Sequence, residues 1–249
     1  MKTQKLLCQK LFKLPLILLV LLQGFICPSI ILSQTTLLTK SEEKPPDFAG
    51  EGRSGRQTSL DSRGNCPLGA IAALMPISNW GTTVTEHPTL WFYVPYSSEQ
   101  VAQGEFVLQD EERYDIKRLS FNLPKTPGLV SVKVPTSLKI DQWYRWYFKI
   151  YCQKEASKPP IFVQGWIQRV ALTSELENQL KKANLRKDVV YTANQIWYDA
   201  VAELAEELIN NPTDNSLRQA WFNLLSVNGV SLEILSQETL VGSVIFIPN

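Results

Sequence analysis

WYRWYFKIYC, residues 143–152, decides the fold. Successive side chains of an extended segment point to opposite faces, so Tyr144, Trp146, Phe148, Ile150 and Cys152 share one face, and Trp143, Arg145, Tyr147, Lys149 and Tyr151 share the other. The first set is apolar and the second mixes aromatics with cations. The stretch is a strand with one face in a core, and Cys152 lies on the core side. A thiol in such surroundings has a raised pKa and is a poor nucleophile, which argues against cysteine catalysis.

Working outward, the same alternation recurs in LWFYVPY (90–96), GEFVLQD (104–110), DIKRLSFNL (115–123), GLVSVKVP (128–135) and IFVQGWIQRV (161–170). Six such runs separated by turn signals predict a β-sandwich. Phe106 with Leu108, Leu119 with Phe121 and Leu123, and Val130 with Val132 and Val134 are expected to face inward, whereas Ser120, Asn122, Ser131 and Lys133 face outward.

After Leu172 the apolar period lengthens to that of a helix. TSELENQLKKA (173–183) places Ser174 and Glu177 in capping-box spacing ahead of Leu176 and Leu180. DVVYTANQIWYDAVAELAEELINNP (188–212) carries one apolar stripe through Val189, Ala193, Ile196, Trp197, Ala200, Val201, Leu204 and Leu208, with Pro212 just beyond. TDNSLRQAWFNLLSVNGV (213–230) adds Leu217, Trp221 and Leu224 on one side, with Gly229 suited to a C-terminal cap. The expected fold is therefore α+β. An antiparallel immunoglobulin-like sandwich over residues 66–172 is followed by a three-helix segment, 173–229, packed on it in the same compact unit, then by a tail, 230–249, holding a possible short strand.

The N-terminal residues bound the compartment. Lys2, Lys5, Lys10 and Lys13 precede or flank an apolar run from Leu14 to Leu22, the pattern of a secretory signal over residues 1–33 with cleavage near Ser33. An uncleaved membrane anchor is the alternative, since apolar residues continue past Gln23 to Leu32. Loss of the four lysines leaves 21 basic against 24 acidic residues, a net charge of about −3, so the general basic footprint of a nucleic-acid binder is absent. Of four cysteines only Cys66 and Cys152 remain, and two in an exported chain suggest one disulfide, with two buried thiols as the alternative. Residues 34–65 are rich in Pro, Gly, Ser and charge and are expected to be a disordered linker, with Arg53, Arg56 and Arg63 solvated.

NCPLGAIAALMP (65–76), EHPTLWFYVPY (86–96), EFVLQDE (105–111), WYRWYFKIYC, VQGWIQRV (163–170) and IWYDAVAELAEEL (196–208) resemble, in order, the successive blocks of the domain-of-unknown-function family 928, found in cyanobacteria. The resemblance spans roughly residues 64–227. It implies an exported protein with both cysteines at family positions, and it carries across no catalytic residue.

The chemistry-bearing residues are few. His87 is the single histidine, but its neighbour Glu86 points to the opposite face of an extended segment, so the two do not form a catalytic pair. His87 and Pro88 are expected to shape the turn into the next strand. One histidine and two cysteines make no usual zinc site. Asp110, Glu111, Glu112 and Asp115 lack the glycine-punctuated spacing of a calcium loop and are expected to be a solvated hairpin tip. GEGRSGR (50–56) precedes no helix, as a phosphate loop would. No metal, cofactor or catalytic residue is expected.

What exceeds an ordinary core is the second aromatic face. Tyr93, Arg145, Tyr147, Lys149, Tyr151, Gln164 and Trp166 form the candidate binding face, because flat rings give contact area at low entropy cost while amides and cations fix orientation. The competing expectation is that the helices cover it. The functional expectation is an exported, non-catalytic, envelope-associated binding or scaffold module whose partner is an envelope protein or polysaccharide, with the membrane involved only through an uncleaved anchor. The alternative is a carboxylate-based envelope hydrolase using Glu86 and Asp110.

Overall fold

A computed structural model describes residues 46–59, 66–67, 69–152, 159–182 and 184–248; the expected leader, residues 1–33, lies outside them. In chain order the strands and helices are β1 (Ala72–Ala73), β2 (Trp80–Thr83), β3 (Thr89–Val94), β4 (Gln103–Gln109), β5 (Asp115–Asn122), β6 (Gly128–Lys133), β7 (Trp143–Tyr151), β8 (Ile161–Arg169), α1 (Ser174–Leu180), α2 (Lys187–Ala193), α3 (Trp197–Asn210), α4 (Asn215–Leu225), β9 (Leu240–Ser243) and β10 (Ile245–Phe246). All six strands expected from alternation are present as β3 to β8. The C-terminal residues supply two short strands rather than one.

The strands form a four-stranded sheet, β1-β3-β6-β9, and a six-stranded sheet, β10-β5-β4-β7-β8-β2. Pairing is mostly antiparallel, but β2 runs parallel to β8 and β9 parallel to β6, which departs from the wholly antiparallel expectation. The inner faces meet through aromatics: Phe92 of β3 stacks on Phe148 of β7 at 4.2 Å and meets Trp146 edge-on at 5.4 Å. Tyr144, Trp146, Phe148 and Ile150 are all buried, as the alternation in β7 requires.

Chain segments join the two sheets at both sides. On one side β9 pairs with β6 of the smaller sheet, and the chain crosses at Val244 so that β10 pairs with β5 of the larger. Ser131, expected to face solvent, is buried there, its hydroxyl 2.9 Å from that of Ser243. On the other side lies part of the stretch expected to be linker. Arg56 exchanges backbone hydrogen bonds with Gln164 of β8 (2.8 and 3.0 Å), while Gln57 and Ser59 bond to Ala73 and Ile71 (2.8 and 2.9 Å). Residues 56–59 thus bridge β8 and the β1 segment as an added strand. With Phe48 as the one large apolar residue among 46–59, this strap escapes any periodicity argument: backbone hydrogen bonds hold it.

Thr173, one residue before the expected cap, closes α1, its hydroxyl accepting from the Leu176 N–H at 3.2 Å; such a cap is worth about 1 kcal/mol. The long stripe expected over 188–212 is broken into α2 and α3. Gln195 has φ of 60°, which no α-helix accommodates, and its carbonyl accepts from the Thr82 hydroxyl at 2.7 Å. The break separates two packing tasks. Val190 and Ile196 join Leu176 in a small satellite cluster, whereas α3 sends Trp197, Ala200, Val201, Leu204 and Leu208 into the main core. Trp197 donates to the Leu74 carbonyl at 2.8 Å, and the Tyr198 hydroxyl donates to the Trp166 carbonyl at 3.0 Å. A β-carbon on Gly81 would sit 3.0 Å from the Tyr198 ring, so a side chain there would crowd α3 where it approaches β2. The third expected helix is α4, capped by Asp214, with Leu217, Trp221 and Leu224 buried. Ser226, not Gly229, is its C-terminal cap. Helix α3 packs against β2 and β3, with α2 and α4 against α3, and Trp91, on the face of β3 opposite Phe92, is only 5% exposed.

Candidate functional site

The outer face of the six-stranded sheet is built by register. Antiparallel pairing sets Arg145 opposite Trp166, Tyr147 opposite Gln164 and Lys149 opposite Phe162. On the other flank of β7, Glu105 lies opposite Lys149, Val107 opposite Tyr147 and Gln109 opposite Arg145. Six of the seven residues expected to form a binding face are therefore neighbours. Tyr93 is not one of them: it lies on β3 in the other sheet, where burial and then the Glu238 carboxylate push its phenol pKa up.

Arg145 organises the centre. Its Nη2 donates to Gln164 Oε1 at 2.7 Å, and its guanidinium carbon lies 4.9 Å from the Tyr147 ring centroid and 5.7 Å from that of Trp166. Its buried Nε and the buried Oε1 of Gln109 have no hydrogen-bond partner among the described residues. Lys149 and Arg118 both donate to Glu105, at 2.8 and 2.6 Å. Burial alone would raise the Glu105 carboxyl, but its bonds and charge contacts with these two cations outweigh burial and hold it below the usual range. Tyr151 shifts upward, first through burial and then through the Glu105 charge, so it remains a neutral donor at physiological pH.

Helix α3 packs on β2 and β3, and the strap covers one side of this outer face. Arg53 lays its guanidinium 3.7 Å from the centroid of Trp143 and 4.9 Å from that of Trp166, and its Nη1 lies 3.4 Å from Glu111 Oε1. Arg56 sits 4.6 Å over Phe162. The indole nitrogens of Trp80 and Trp166 donate to the carbonyls of Glu51 and Ser54, each at 2.9 Å. Arg53 and Arg56, expected to be solvated, are thus stacked on rings; Arg63 lies outside the described residues. Trp166 is only 6% exposed as a result, while Tyr147, Tyr151 and Phe162 stay partly exposed. Beside this clamp, a hollow of about 610 Å³ is lined by Asp110, Glu111, Glu112, Asp141, Lys139 and Trp143 among others.

The matched region of a family model includes the face and the strap from Arg53 onward: the model described as Domain of Unknown Function (DUF928) covers residues 53–240. The chain belongs to this family. A search of curated proteins finds no match. In this DUF928 chain the bridge joins Cys66 to Cys152, with Cα atoms 5.2 Å apart. It fastens the segment after the strap to the end of β7.

The remaining chemistry-bearing residues lie elsewhere. His87 precedes β3 and its Nδ1 is 3.1 Å from the Val134 carbonyl, while Glu86 accepts from the Ser137 hydroxyl, a bond that holds its carboxyl below the usual range. The Asp110 carboxylate accepts from the Tyr114 N–H at 2.7 Å within the β4–β5 hairpin. Asp110 serves a local turn and Glu86 ties its loop to Ser137, 51 residues away, and the two do not line a common cavity among those described. Among the described residues, no group of three or more His, Cys, Asp or Glu side chains is arranged to hold a metal ion.

Sequence reasoning missed Asp199. It is buried in the first turn of α3, where it accepts from the Val84 N–H at 3.1 Å and from the Thr85 hydroxyl. Burial raises its pKa, and these bonds with that from Thr83 offset the rise in part. With His87, Tyr191, Glu203 and Glu206 it lines a small cavity of about 170 Å³. Tyr191 is pushed up to about 12 by burial and by the Asp199 and Glu203 charges. Asp199 fastens the β2–β3 loop to α3, a structural task. An acid among apolar helix positions gives no sequence signal for it.

Proposed function

We propose that this chain is an exported, non-catalytic binding module of the cell envelope, whose contact surface is the outer face of β7 and β8. One observation carries the reading: Tyr147, Tyr151, Phe162, Gln164, Arg145 and Lys149 form a contiguous, partly exposed face. Aromatic, amide and guanidinium groups on a rigid sheet suit an extended partner, since little side-chain entropy is lost on contact. The partner in this reading is an envelope protein or polysaccharide. The immunoglobulin-like kinship of the sandwich belongs to the same proposal and is supported by the face-to-face aromatic packing of the two sheets.

Export is supported by the lysines and apolar run of residues 1–33 and by the Cys66–Cys152 bridge, which an oxidising compartment favours. N-terminal sequencing of the mature protein is expected to begin close to Gln34. An intact chain starting at Met1 and embedded in membrane would establish an anchor instead.

The binding reading is tested with isolated envelope fractions, protein and polysaccharide separately, by co-sedimentation with the purified protein. Tyr147→Ala with Tyr151→Ala is expected to weaken retention about tenfold or more, the scale of truncating aromatic contact residues. Far-ultraviolet circular dichroism should be unchanged, since both side chains point away from the core. Equal retention of a folded variant and the wild type would overturn the assignment.

A further inference from the structure

The strap occupies its place as a ligand would. Residues 51–59 bend at Ser54 and Gln57, residues 56–59 add backbone hydrogen bonds to β8 on one side and to the β1 segment on the other, and the segment presents arginines three residues apart to aromatic receptors. Arg53 fills the Trp143–Trp166 clamp against Glu111, and Arg56 covers Phe162. Between them Gly55 passes so close to the sheet that a β-carbon would lie 2.3 Å from the Asn79 side chain. Addition of a segment between two sheet elements through main-chain hydrogen bonds, with receptors for its side chains, is a general mode of peptide recognition; here the chain bends at Ser54, so that Arg53 and Arg56, which a straight strand would send to opposite faces, both meet rings.

Charge complementarity indicates what such a ligand carries. The hollow beside the clamp holds Asp110, Glu111, Glu112 and Asp141 against Lys139 alone among the residues named above. The strap places one cation, Arg53, at its rim. A longer basic segment would continue into it.

We propose that the gap between β8 and the β1 segment, with the Trp143–Trp166 clamp and the acidic hollow, is a docking site for an arginine-bearing segment of a partner polypeptide, and that residues 51–59 are its resident competitor. This rests on the binding-module reading above and names the class of partner. The strap's hold is made of many separate contacts: Arg53 on two rings and Arg56 on one, each worth a modest amount at a partly exposed site, indole hydrogen bonds from Trp80 and Trp166, bonds from the Gln57 amide to the Met75 and Val230 carbonyls, and backbone hydrogen bonds. A partner segment bearing the same pattern and further basic residues displaces it by mass action.

The test uses the full chain and a fluorescent synthetic peptide of residues 51–59, EGRSGRQTS, read by anisotropy. Full-length protein carrying Arg53→Ala and Arg56→Ala is expected to bind the peptide about tenfold or more tightly than the wild type, because its own strap competes poorly. A peptide with alanine at both arginines should bind neither protein, and Glu111→Gln should weaken binding of the unmodified peptide. Should the double variant fail to fold, Arg53→Ala alone carries the same comparison. Binding that ignores the peptide arginines, or no gain in the variant, overturns the proposal. Loss of the peptide result with envelope retention intact removes this inference alone, whereas loss of Tyr147- and Tyr151-dependent retention removes the reading beneath it.

Discussion

Replacing Leu204 by alanine is expected to remove about 2–5 kcal/mol of folding stability, the range for truncating a fully buried leucine. Leu204 is 0% exposed at the middle of α3 and belongs to the main core with Trp197, Ala200, Val201 and Leu208. Its neighbours are fixed by strand pairing and by the Trp197 and Tyr198 hydrogen bonds to Leu74 and Trp166, so they cannot easily close over a void. The loss therefore includes a cavity cost besides lost transfer energy. Val189 supplies the internal control. The apolar stripe put it on the same face, yet it lies on α2 at 52% exposure, and Val189→Ala should change stability by no more than about 0.5 kcal/mol. Urea denaturation of the three proteins decides the matter, and similar losses for both variants would mean that α2 and α3 share one buried face after all.

That contrast marks where sequence periodicity holds and where it ends. Alternation in β7 located its core face residue by residue, because a strand between two others has no freedom to rotate. The helical stripe named the right core residues from Trp197 onward but ran past the break at Gln195, whose positive φ depends on a hydrogen bond from Thr82, 113 residues away. The parallel strands β2 and β9 are four residues each, too short for a period. The strap was invisible for a different reason. Its contacts are backbone hydrogen bonds and arginines on rings, and a polar, glycine-rich composition is equally that of an unstructured linker.

The candidate face was legible to the same extent. Arg145, Tyr147, Lys149 and Tyr151 follow from β7 alternation alone, and Gln164 and Trp166 from the neighbouring strand. Tyr93 was grouped with them because it too is an outward aromatic, yet alternation says which side of its own sheet a residue occupies and never which sheet. The alternation likewise gave no sign of what covers Trp166: α3 packs on β2 and β3, and the segment over Trp166 is the strap, from the N-terminal side of the sandwich.

Breaking the Cys66–Cys152 bridge is expected to cost up to about 4 kcal/mol. The two cysteines are 86 residues apart in sequence, and closing a loop of that length removes denatured-state entropy on this scale in the chain-entropy model, an upper figure because residual structure reduces it. The structure shows where the loss would be felt first. The strap pairs with β8 and with the β1 segment, and the bridge ties the chain between them to the end of β7. Without it, release of the strap is no longer opposed by a fixed point just downstream, so the Trp143–Trp166 clamp should open before the core melts. The helices, which follow both cysteines in the chain, should respond last. The measurement is urea denaturation of the oxidised and the reduced, alkylated protein, followed by circular dichroism for the helices and by tryptophan fluorescence for the clamp. Fluorescence is expected to shift at lower urea in the reduced form, with the helical signal moving less. Coincident curves for oxidised and reduced protein by both probes would show that the bridge contributes nothing to either.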